Sequence, residues 1–406
     1  MTSRSKNYTR REFMSKPVGY IASARLLSIA TDLCGSEVMK AEKSPPASKL
    51  IQRPLGKTGV SLPIVSMGVM NADAPGLIAR SYELGIRHFD TAAGYQGGRN
   101  ETMLGDMIRQ LKARDKVVIA TKAGVHGLGR RDAAEIKTDF LRTFEGSLKR
   151  LQMDYVDILY VHGVSTSREV DEKGVQDALA QLKKEKKVRF AGVSTHSGQT
   201  EVLNALLRGG FYEVALVAFN YTMSSNKELL DAMKLCASKG VGLIAMKTQA
   251  GGSRRRRDEA SAKQPINQTA ALKWVLQNEY VTTAVPGYTQ FDQIDEDMTV
   301  ASSLGLTEKE RDFLSNNTLK ASLEFCQQCG ECVGTCPKRV EIPALMRTHM
   351  YAFQYANMDQ ARFTQAEVPK GAGIDVCRLC PECSASCANT VNIPRKVDEL
   401  KTAWLV

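Results

Sequence analysis

Four polar side chains follow apolar, β-rich runs of this 406-residue chain, and their types suit proton transfer. They are Asp90, Tyr95, Lys122 and His162. Asp90, Lys122 and His162 each end a predicted strand, and Tyr95 lies in the loop after Asp90. A phenol near an ammonium, a carboxylate and an imidazole can hold and donate a proton. Each residue alone also has a structural role open to it, as a cap, loop anchor, solvated strand end or core histidine, but the four together favour a site.

Eight of the ten cysteines form a second reactive set near the C-terminus. They fall in two runs with the spacing C-x2-C-x2-C-x3-C, which a disulfide framework has no reason to produce. The pattern resembles that of bacterial two-cluster ferredoxins, in which three cysteines of a run bind one cubane and the fourth binds the other. The resemblance implies one [4Fe-4S] cluster on Cys326, Cys329, Cys332 and Cys387, and a second on Cys377, Cys380, Cys383 and Cys336.

Zinc is the alternative metal, although a tetrahedral zinc site usually draws on two separated C-x2-C pairs. Two features depart from the ferredoxin pattern. Ala388 stands where a proline normally follows the fourth cysteine, and forty residues separate the two runs. The pattern of this insertion predicts a helix through Ala344 to Phe363.

The elements that must position the first set alternate along the chain between Ile51 and Asn317. Apolar strands alternate there with helical patterns, which predicts a parallel sheet with crossover helices. Eight predicted strands favour an α/β fold of the (β/α)8 TIM barrel type, with chemistry where strands end and loops begin. A doubly wound sheet is the alternative, but no GxGxxG follows the first strand. The predicted strands are 62–68, 86–91, 117–122, 156–162, 189–194, 213–220, 242–248 and 282–286.

The residues around Asp90 are similar to a motif of the aldo-keto reductase family, and the resemblance covers about two thirds of the chain. It implies a catalytic tetrad of Asp90, Tyr95, Lys122 and His162 on a (β/α)8 barrel. Barrels of this family with a C-terminal ferredoxin-like domain form a recognisable subfamily. The prediction of the barrel and the prediction of the cluster domain therefore support each other. The motif comprises Phe89-Asp90-Thr91-Ala92, Tyr95, Asn100-Glu101 and Leu104-Gly105.

The chemistry of carbonyl reduction asks for these residue types. It needs a proton donor on oxygen while a reduced nicotinamide delivers hydride to carbon. A free tyrosine, with a pKa of about 10, is a weak acid near neutrality. We therefore expect Lys122 to lower the pKa of Tyr95, Asp90 to keep Lys122 charged, and His162 to orient and polarise the carbonyl oxygen.

The same resemblance points to nucleotide contacts, although the family's usual Ser-Asn appears here as Ser194-Thr195. The usual anchors for an adenosine 2'-phosphate are absent after the eighth strand, and Arg254 to Arg257 are either substitute charge or solvated surface. NADP and NAD both stay open. The predicted contacts are Ser194, Asn220, Met246, Lys247, Gly251, Gly252, Gly287 and Gln293.

The chain divides into residues 1–49, a targeting segment and linker; 50–320, the barrel; and 321–406, the mostly helical iron–sulfur domain. Thr9 to Met14 resembles a twin-arginine export signal, a route that carries folded, metal-loaded proteins. It predicts a periplasmic location, with a disordered basic tail on a cytoplasmic protein as the alternative.

Composition narrows the function classes. The chain is 43% hydrophobic and 24% charged, with no apolar stretch long enough for a transmembrane helix. Its net charge of +11 is dispersed and lacks a reading-helix motif, so we do not expect nucleic acid. A nucleotide or an acidic redox partner suits this charge better.

The sequence thus predicts an oxidoreductase that interconverts small-molecule carbonyls and alcohols with NAD(P)H. Hydride carries two electrons and each cluster takes one, so the clusters are either structural or a separate electron input. The alternative is an electron-transfer or nucleotide-binding module without carbonyl turnover.

Overall fold

The computed structural model describes residues 49–124, 131–250, 266–316 and 325–403. Several predicted features lie outside these ranges: the twin-arginine-like segment, Gly251 and Gly252, the basic run Arg254 to Arg257, and the boundary at residue 320.

An antiparallel hairpin of β1 (Gln52–Pro54) and β2 (Ser61–Pro63) precedes the main sheet. Leu62 of this hairpin, with Leu55 of its turn, packs against side chains from the barrel interior, such as Val118. The hairpin therefore closes the end of the barrel where the strands begin. The prediction of one strand over 62–68 is wrong, because its first residues belong to this hairpin.

Eight parallel strands form the main sheet, in chain order from first to last. Backbone bonds from the first to the last strand region close it: the amide of Ser66 donates to the carbonyl of Ala284 at 2.8 Å, and Gly68 bridges Gly287. The predicted (β/α)8 barrel is confirmed. The strands are β3 (Met67–Gly68), β4 (His88–Asp90), β5 (Val118–Gly124), β6 (Val156–His162), β7 (Val188–Thr195), β8 (Val214–Ala218), β9 (Gly242–Met246) and β10 (Thr283–Ala284).

Helices surround the sheet, and most of them bury one apolar face against it. In helix α3, Asp132 and Glu135 form a capping box at its start. One buried face of this helix carries apolar side chains at three- and four-residue spacing, namely Phe140, Phe144, Leu148 and Leu151. The barrel helices are α1 (Pro75–Glu83), α2 (Arg99–Gln110), α3 (Ala133–Leu151), α4 (Ser167–Val170), α5 (Lys173–Lys184), α6 (Gln199–Gly209), α7 (Lys227–Ser238), α8 (Gln268–Leu276), α9 (Phe291–Val300) and α10 (Glu308–Ser315).

The C-terminal region consists of short helices and turns around a small core. Helix α11 (Ile342–His349) runs into a π-helical turn at Met350–Gln354, and α12 (Met358–Glu367), α13 (Ile374–Cys377) and α14 (Ile393–Thr402) follow. The prediction of one helix through 344 to 363 is wrong. The chain turns before α12, where Ala356 takes a φ of 49°. Across the four described ranges, no helix has both the length and the apolar content to cross a membrane.

The C-terminal region docks on the barrel through polar contacts near the carboxyl ends of the strands. Arg99 pairs with Asp359 at 2.9 Å, and the Asn357 amide donates to Asn71 at 3.1 Å. The Gln327 amide donates to the carbonyl of Thr222 at 3.2 Å. This is the face on which a barrel carries its functional side chains.

Candidate active site and iron–sulfur centres

Adjacent strands position three of the four predicted catalytic residues. Asp90 ends β4, Lys122 lies near the end of β5, and His162 ends β6. Tyr95 begins the 3-10 turn Tyr95–Gly98 that follows β4. Because these strands are parallel and paired in order, their ends meet at one face, and the structure brings the four side chains together there.

Lys122 and Asp90 form a buried ion pair, with side chains 1% and 5% exposed. The Lys122 ammonium also donates to the carbonyl of Thr91 at 2.7 Å. Burial lowers the pKa of Lys122 and raises that of Asp90, and the charge of each partner opposes the shift in the other. The buried pair thus holds both side chains in place at the bottom of the site.

Tyr95 lies above this pair. Its ring centroid is 4.9 Å from the Lys122 ammonium and 6.0 Å from the His162 ring, which it meets edge-on. Burial, followed by the charge of Asp90, raises the pKa of Tyr95 well above its usual value. The expected lowering of this pKa is therefore wrong, because burial of the phenol, followed by the charge of Asp90, raises it. Tyr95 is held as a neutral phenol that has a proton to donate.

Asn100 and Glu101, at the start of α2, fasten this arrangement from behind. The Asn100 side chain accepts from the Thr91 hydroxyl at 2.7 Å and donates to the carbonyl of Val69 at 2.8 Å. Glu101 accepts from the Thr121 hydroxyl at 2.6 Å and from Arg150 at 2.7 Å. The two residues hold the ends of β4 and β5, which gives a physical role to a motif that the sequence identified only by resemblance.

A cavity opens beside the tetrad, and four predicted nucleotide contacts line it: Met246, Lys247, Gly287 and Gln293. Ser194 and Asn220 are not among its lining residues. The Ser194 hydroxyl accepts from the amide of Gly163 at 3.0 Å. The remaining lining residues are Gly68, Met70, Asn71, Asp90, Tyr95, His196, Thr248, Gln249, Val285, Pro286, Thr289, Tyr351, Gln354 and Tyr355.

Asn220 has a local role instead. Its side-chain oxygen accepts from the amide of Thr222 at 3.1 Å and from its hydroxyl at 2.7 Å, which starts a 3-10 turn.

The C-terminal region supplies part of the wall of this cavity. The Lys247 ammonium donates to the Tyr351 hydroxyl at 3.0 Å and lies 4.3 Å and 5.1 Å from the ring centroids of Tyr351 and Tyr355. Phe363 stacks on His162 at 6.1 Å and packs against Gly94, where a Cβ would lie 2.3 Å from its ring. No local sequence motif predicts these contacts, because they join residues far apart in the chain.

His196, which follows β7, is a further cavity residue that the sequence analysis missed. Burial, and then the positive charges of Arg347 and Lys247, lower its pKa well below the usual value. His196 is therefore a neutral imidazole, and its place one residue beyond the Ser194-Thr195 pair was the only available signal.

The cysteines form two groups of four, with the membership that the sequence predicts. Cys326, Cys329, Cys332 and Cys387 line one cavity, and Cys336, Cys377, Cys380 and Cys383 line another. In the described ranges, no three His, Cys, Asp or Glu side chains are placed around a single metal ion. Each group of four thiols surrounds an open space instead.

Neighbouring donors favour anionic sulfur in the first group, whereas burial opposes it. The Gln328 amide donates to the sulfur of Cys326 at 3.0 Å, and the backbone amide of Asn389 donates to that of Cys387 at 3.3 Å. Burial raises the pKa of the Cys326 thiol to about 11. Thiolates here need the compensation that bound iron supplies.

Comparison with known proteins supports both the barrel assignment and the iron–sulfur assignment of the C-terminal region. The profile of the aldo/keto reductase family matches residues 62–269, and that of the 4Fe-4S dicluster domain matches residues 325–392. The chain belongs to the aldo/keto reductase family. It is an oxidoreductase of that type, and its C-terminal region is an iron–sulfur domain.

Curated relatives carry oxidoreductase names. L-galactose dehydrogenase of Arabidopsis thaliana is 28% identical in an alignment 304 positions long that covers 66% of this chain and 93% of the relative. L-glyceraldehyde 3-phosphate reductase of Escherichia coli K12 is 26% identical in an alignment 311 positions long that covers 63% of this chain and 88% of the relative. The holo form of the aldo-keto reductase AKR11C1 from Bacillus halodurans superposes with a TM-score of 0.54 at 23% identity, covering 66% of this chain and 95% of that one, which shows the shared fold.

Proposed function

We propose that this protein reduces a small-molecule carbonyl, or oxidises the matching alcohol, with NADPH or NADH as the hydride carrier. The observation that carries the proposal is the neutral phenol of Tyr95, which lies near the buried Lys122–Asp90 pair and lines the cavity. The His162 ring meets the Tyr95 ring edge-on. The names of the two relatives, a dehydrogenase and a reductase, support the same interconversion.

Each residue has one task in this reaction. When nicotinamide is bound, its reduced form supplies hydride to the carbonyl carbon. Tyr95 donates its phenolic proton to the carbonyl oxygen, which His162 orients. Lys122 then stabilises the phenolate by its charge, and Asp90 keeps Lys122 in place. In the oxidation direction, the Tyr95 phenolate accepts the alcohol proton.

Met246, Lys247, Gly287 and Gln293 are the residues that we propose for the nucleotide, since all four line the cavity. Lys247 is a cation that faces this space, so it suits a phosphate. The Gln293 side chain accepts from the amide of Thr289 at 2.8 Å and orders the turn before α9. Both NADP and NAD are compatible with this lining.

For the C-terminal region we propose two [4Fe-4S] clusters, one on each group of four cysteines. A structural role fits the core, which contains Cys332 and Cys377 beside Ile342 and Val397. A separate electron input is supported by Cys326, which lines a cavity together with His196 and Lys247. Because hydride moves an electron pair and each cluster accepts one electron, that input serves a different step from hydride transfer.

The test is transfer of deuteride from 4-deuterated NADPH or NADH to an aldehyde by the anaerobically purified holoprotein. We expect the label at the carbonyl-derived carbon of the alcohol. Tyr95→Phe should lower kcat/KM by roughly 10²- to 10⁴-fold, because the general acid is lost, while fluorescence titration finds unchanged nucleotide affinity.

Tyr82→Phe is the matched control, since Tyr82 lies on α1, contacts Arg87 and lines no described cavity. It should leave kcat/KM unchanged. Nucleotide binding without any label transfer would contradict the proposed reaction and favour a nucleotide-binding or electron-transfer module.

A further inference from the structure

A second cavity adjoins the first and extends toward the sulfur of Cys326. The two cavities share His196, Lys247 and Gln354. The second lies between the ends of β7 and β8 and the C-terminal region. Its other lining residues are Ala218, Met223, Phe325, Cys326, Gln328, Met346, Arg347, Met350, Val391 and Lys396.

The charged side chains that line this cavity are all cationic. They are Lys247, Arg347 and Lys396, and among the lining residues that the structure describes there is no aspartate or glutamate. Lys396 is only 4% exposed. Most of the remaining wall is apolar. Cations in an apolar, enclosed setting are costly unless an anion accompanies them.

Two of these cations have polar partners but no carboxylate within ion-pair distance. The charge of Arg347 does act on the buried Glu367 carboxyl, whose pKa burial raises to about 7. Arg347 donates to the side-chain oxygen of Gln328 at 2.8 Å, and Lys247 donates to the hydroxyl of Tyr351. Neither forms an ion pair with any described residue. Burial, followed by the charge of Arg347, lowers the pKa of Lys247 to about 7. The two cations therefore repel each other, and an anion between them would relieve this repulsion.

We propose that the second cavity binds the carboxylate or phosphate of an organic substrate whose reacting carbon reaches Tyr95 in the first cavity. The inference rests on the proposed function and names its substrate class: an anionic carbonyl compound or alcohol. Arg347 binds the anionic group. Lys247, which we assign to the nucleotide, lines both cavities and adds its positive charge from their boundary. The apolar wall, including Met223 and Met346, contacts the carbon skeleton between the anionic group and the reacting carbon.

The rival explanation is that the cations compensate the negative charge of a cluster on Cys326. It predicts a different result, because removing a cation would then change the reduction potential of the cluster without changing the affinity for a small anion.

The experiment uses anaerobic holoprotein and matched probes that differ in charge. The pairs are 4-formylbenzoate with its methyl ester, and glyceraldehyde 3-phosphate with glyceraldehyde, so that carboxylate and phosphate are tested separately. We expect kcat/KM to favour the anionic member of at least one pair by about 10- to 100-fold, the effect of one or two charge-assisted hydrogen bonds. Arg347→Met should abolish most of this preference, and Arg347→Lys should retain the larger part.

Lys370→Met is the charge-matched control, because Lys370 is exposed and lines neither cavity. It should preserve the preference. Calorimetric titration with benzoate and inorganic phosphate supplies a readout that needs no turnover, and Arg347→Met should weaken the binding by about tenfold or more.

Three outcomes distinguish the anion site, the proposed reaction and charge compensation of a cluster. Equal turnover of charged and neutral probes overturns the anion site and leaves the proposed reaction intact. Arg347-dependent anion binding without turnover of any probe supports the site and overturns the reaction. A shift in cluster potential with unchanged anion binding in Arg347→Met overturns the site in favour of charge compensation.

Discussion

The barrel and the iron–sulfur domain differ in what holds them together. The barrel has an extensive apolar layer between the sheet and its helices and a smaller one inside the sheet, with Phe89 and Phe144 fully buried. The C-terminal core is small and includes Cys332 and Cys377. The clusters that we propose there would add stability to this smaller core.

The two regions nevertheless line one cavity. The barrel supplies Tyr95 and Asp90, whereas the C-terminal region supplies Tyr351, and its Phe363 stacks on His162. The comparison shows that the C-terminal domain forms part of the wall of a cavity that is also lined by barrel residues of the tetrad.

Loss of iron should produce the largest difference between the responses of the two regions. Cys332→Ala should remove about four of about eight irons per chain, since one cubane loses a ligand, and should greatly accelerate amide exchange in residues 325–403. Exchange in the barrel strands should change little. Cys236→Ala, at a buried barrel cysteine outside both groups, is the control and should keep its iron. Equal loosening of both regions would show that the barrel also depends on the clusters.

Lys122→Met should destabilise the barrel itself, by about 3–5 kcal/mol, because it leaves the Asp90 carboxylate buried without its partner. Denaturant unfolding followed by barrel fluorescence measures this loss. The double substitution Asp90→Leu with Lys122→Met should recover much of it.

The surface pair of Lys187 and Glu145, with side chains 35% and 42% exposed, provides the comparison. Lys187→Met should cost at most about 1 kcal/mol. If Lys122→Met lowered the free energy of unfolding by no more than Lys187→Met does, the buried pair would not be a structural support of the site.

Phe363→Ala tests the contact between the regions at the active site. Removing the ring stacked on His162 should raise KM by up to about tenfold with a smaller change in kcat, since an aromatic pair contributes about 0.5–1.5 kcal/mol. Phe353→Ala, at a ring 42% exposed on the same domain, should leave KM unchanged. Equal effects of the two substitutions would mean that the stacking has no specific role.

Gln328→Met should give the smallest effect, a lowering of one cluster's reduction potential by some tens of mV. The lost bond to Cys326 stabilises the more negative reduced state by about 1 kcal/mol, and 1.4 kcal/mol corresponds to 59 mV for one electron. Gln327→Met, which removes a bond to Thr222 instead, is the control for a redox titration followed by EPR. An unchanged potential in Gln328→Met would show that this amide does not tune the cluster.

Local patterns were enough to predict much of this molecule. Strand alternation identified the barrel, and the spacing of the cysteines gave the two groups that the structure places around separate cavities. The tetrad was accessible because Asp90 and Tyr95 lie in one short motif, and the ends of parallel strands bring Lys122 and His162 to them.

The remaining features depend on long-range packing. The place of Phe363 on His162 joins residues about 200 positions apart, which no periodicity records. The direction of the Tyr95 pKa follows from burial and from the charge of Asp90, neither of which is visible in a motif. The turn at Ala356 requires a positive φ, which an alanine in the sequence does not predict.

The most direct test of the shared site is amide hydrogen exchange of the anaerobic holoprotein with and without saturating NADPH. Tyr351, Gln354 and Tyr355 line the same cavity as Met246 and Gly287. The shared site predicts that nucleotide slows exchange both at the barrel strand ends and in residues 350–355 of the C-terminal region. Protection confined to the barrel, with nucleotide demonstrably bound, would contradict a site built from both regions.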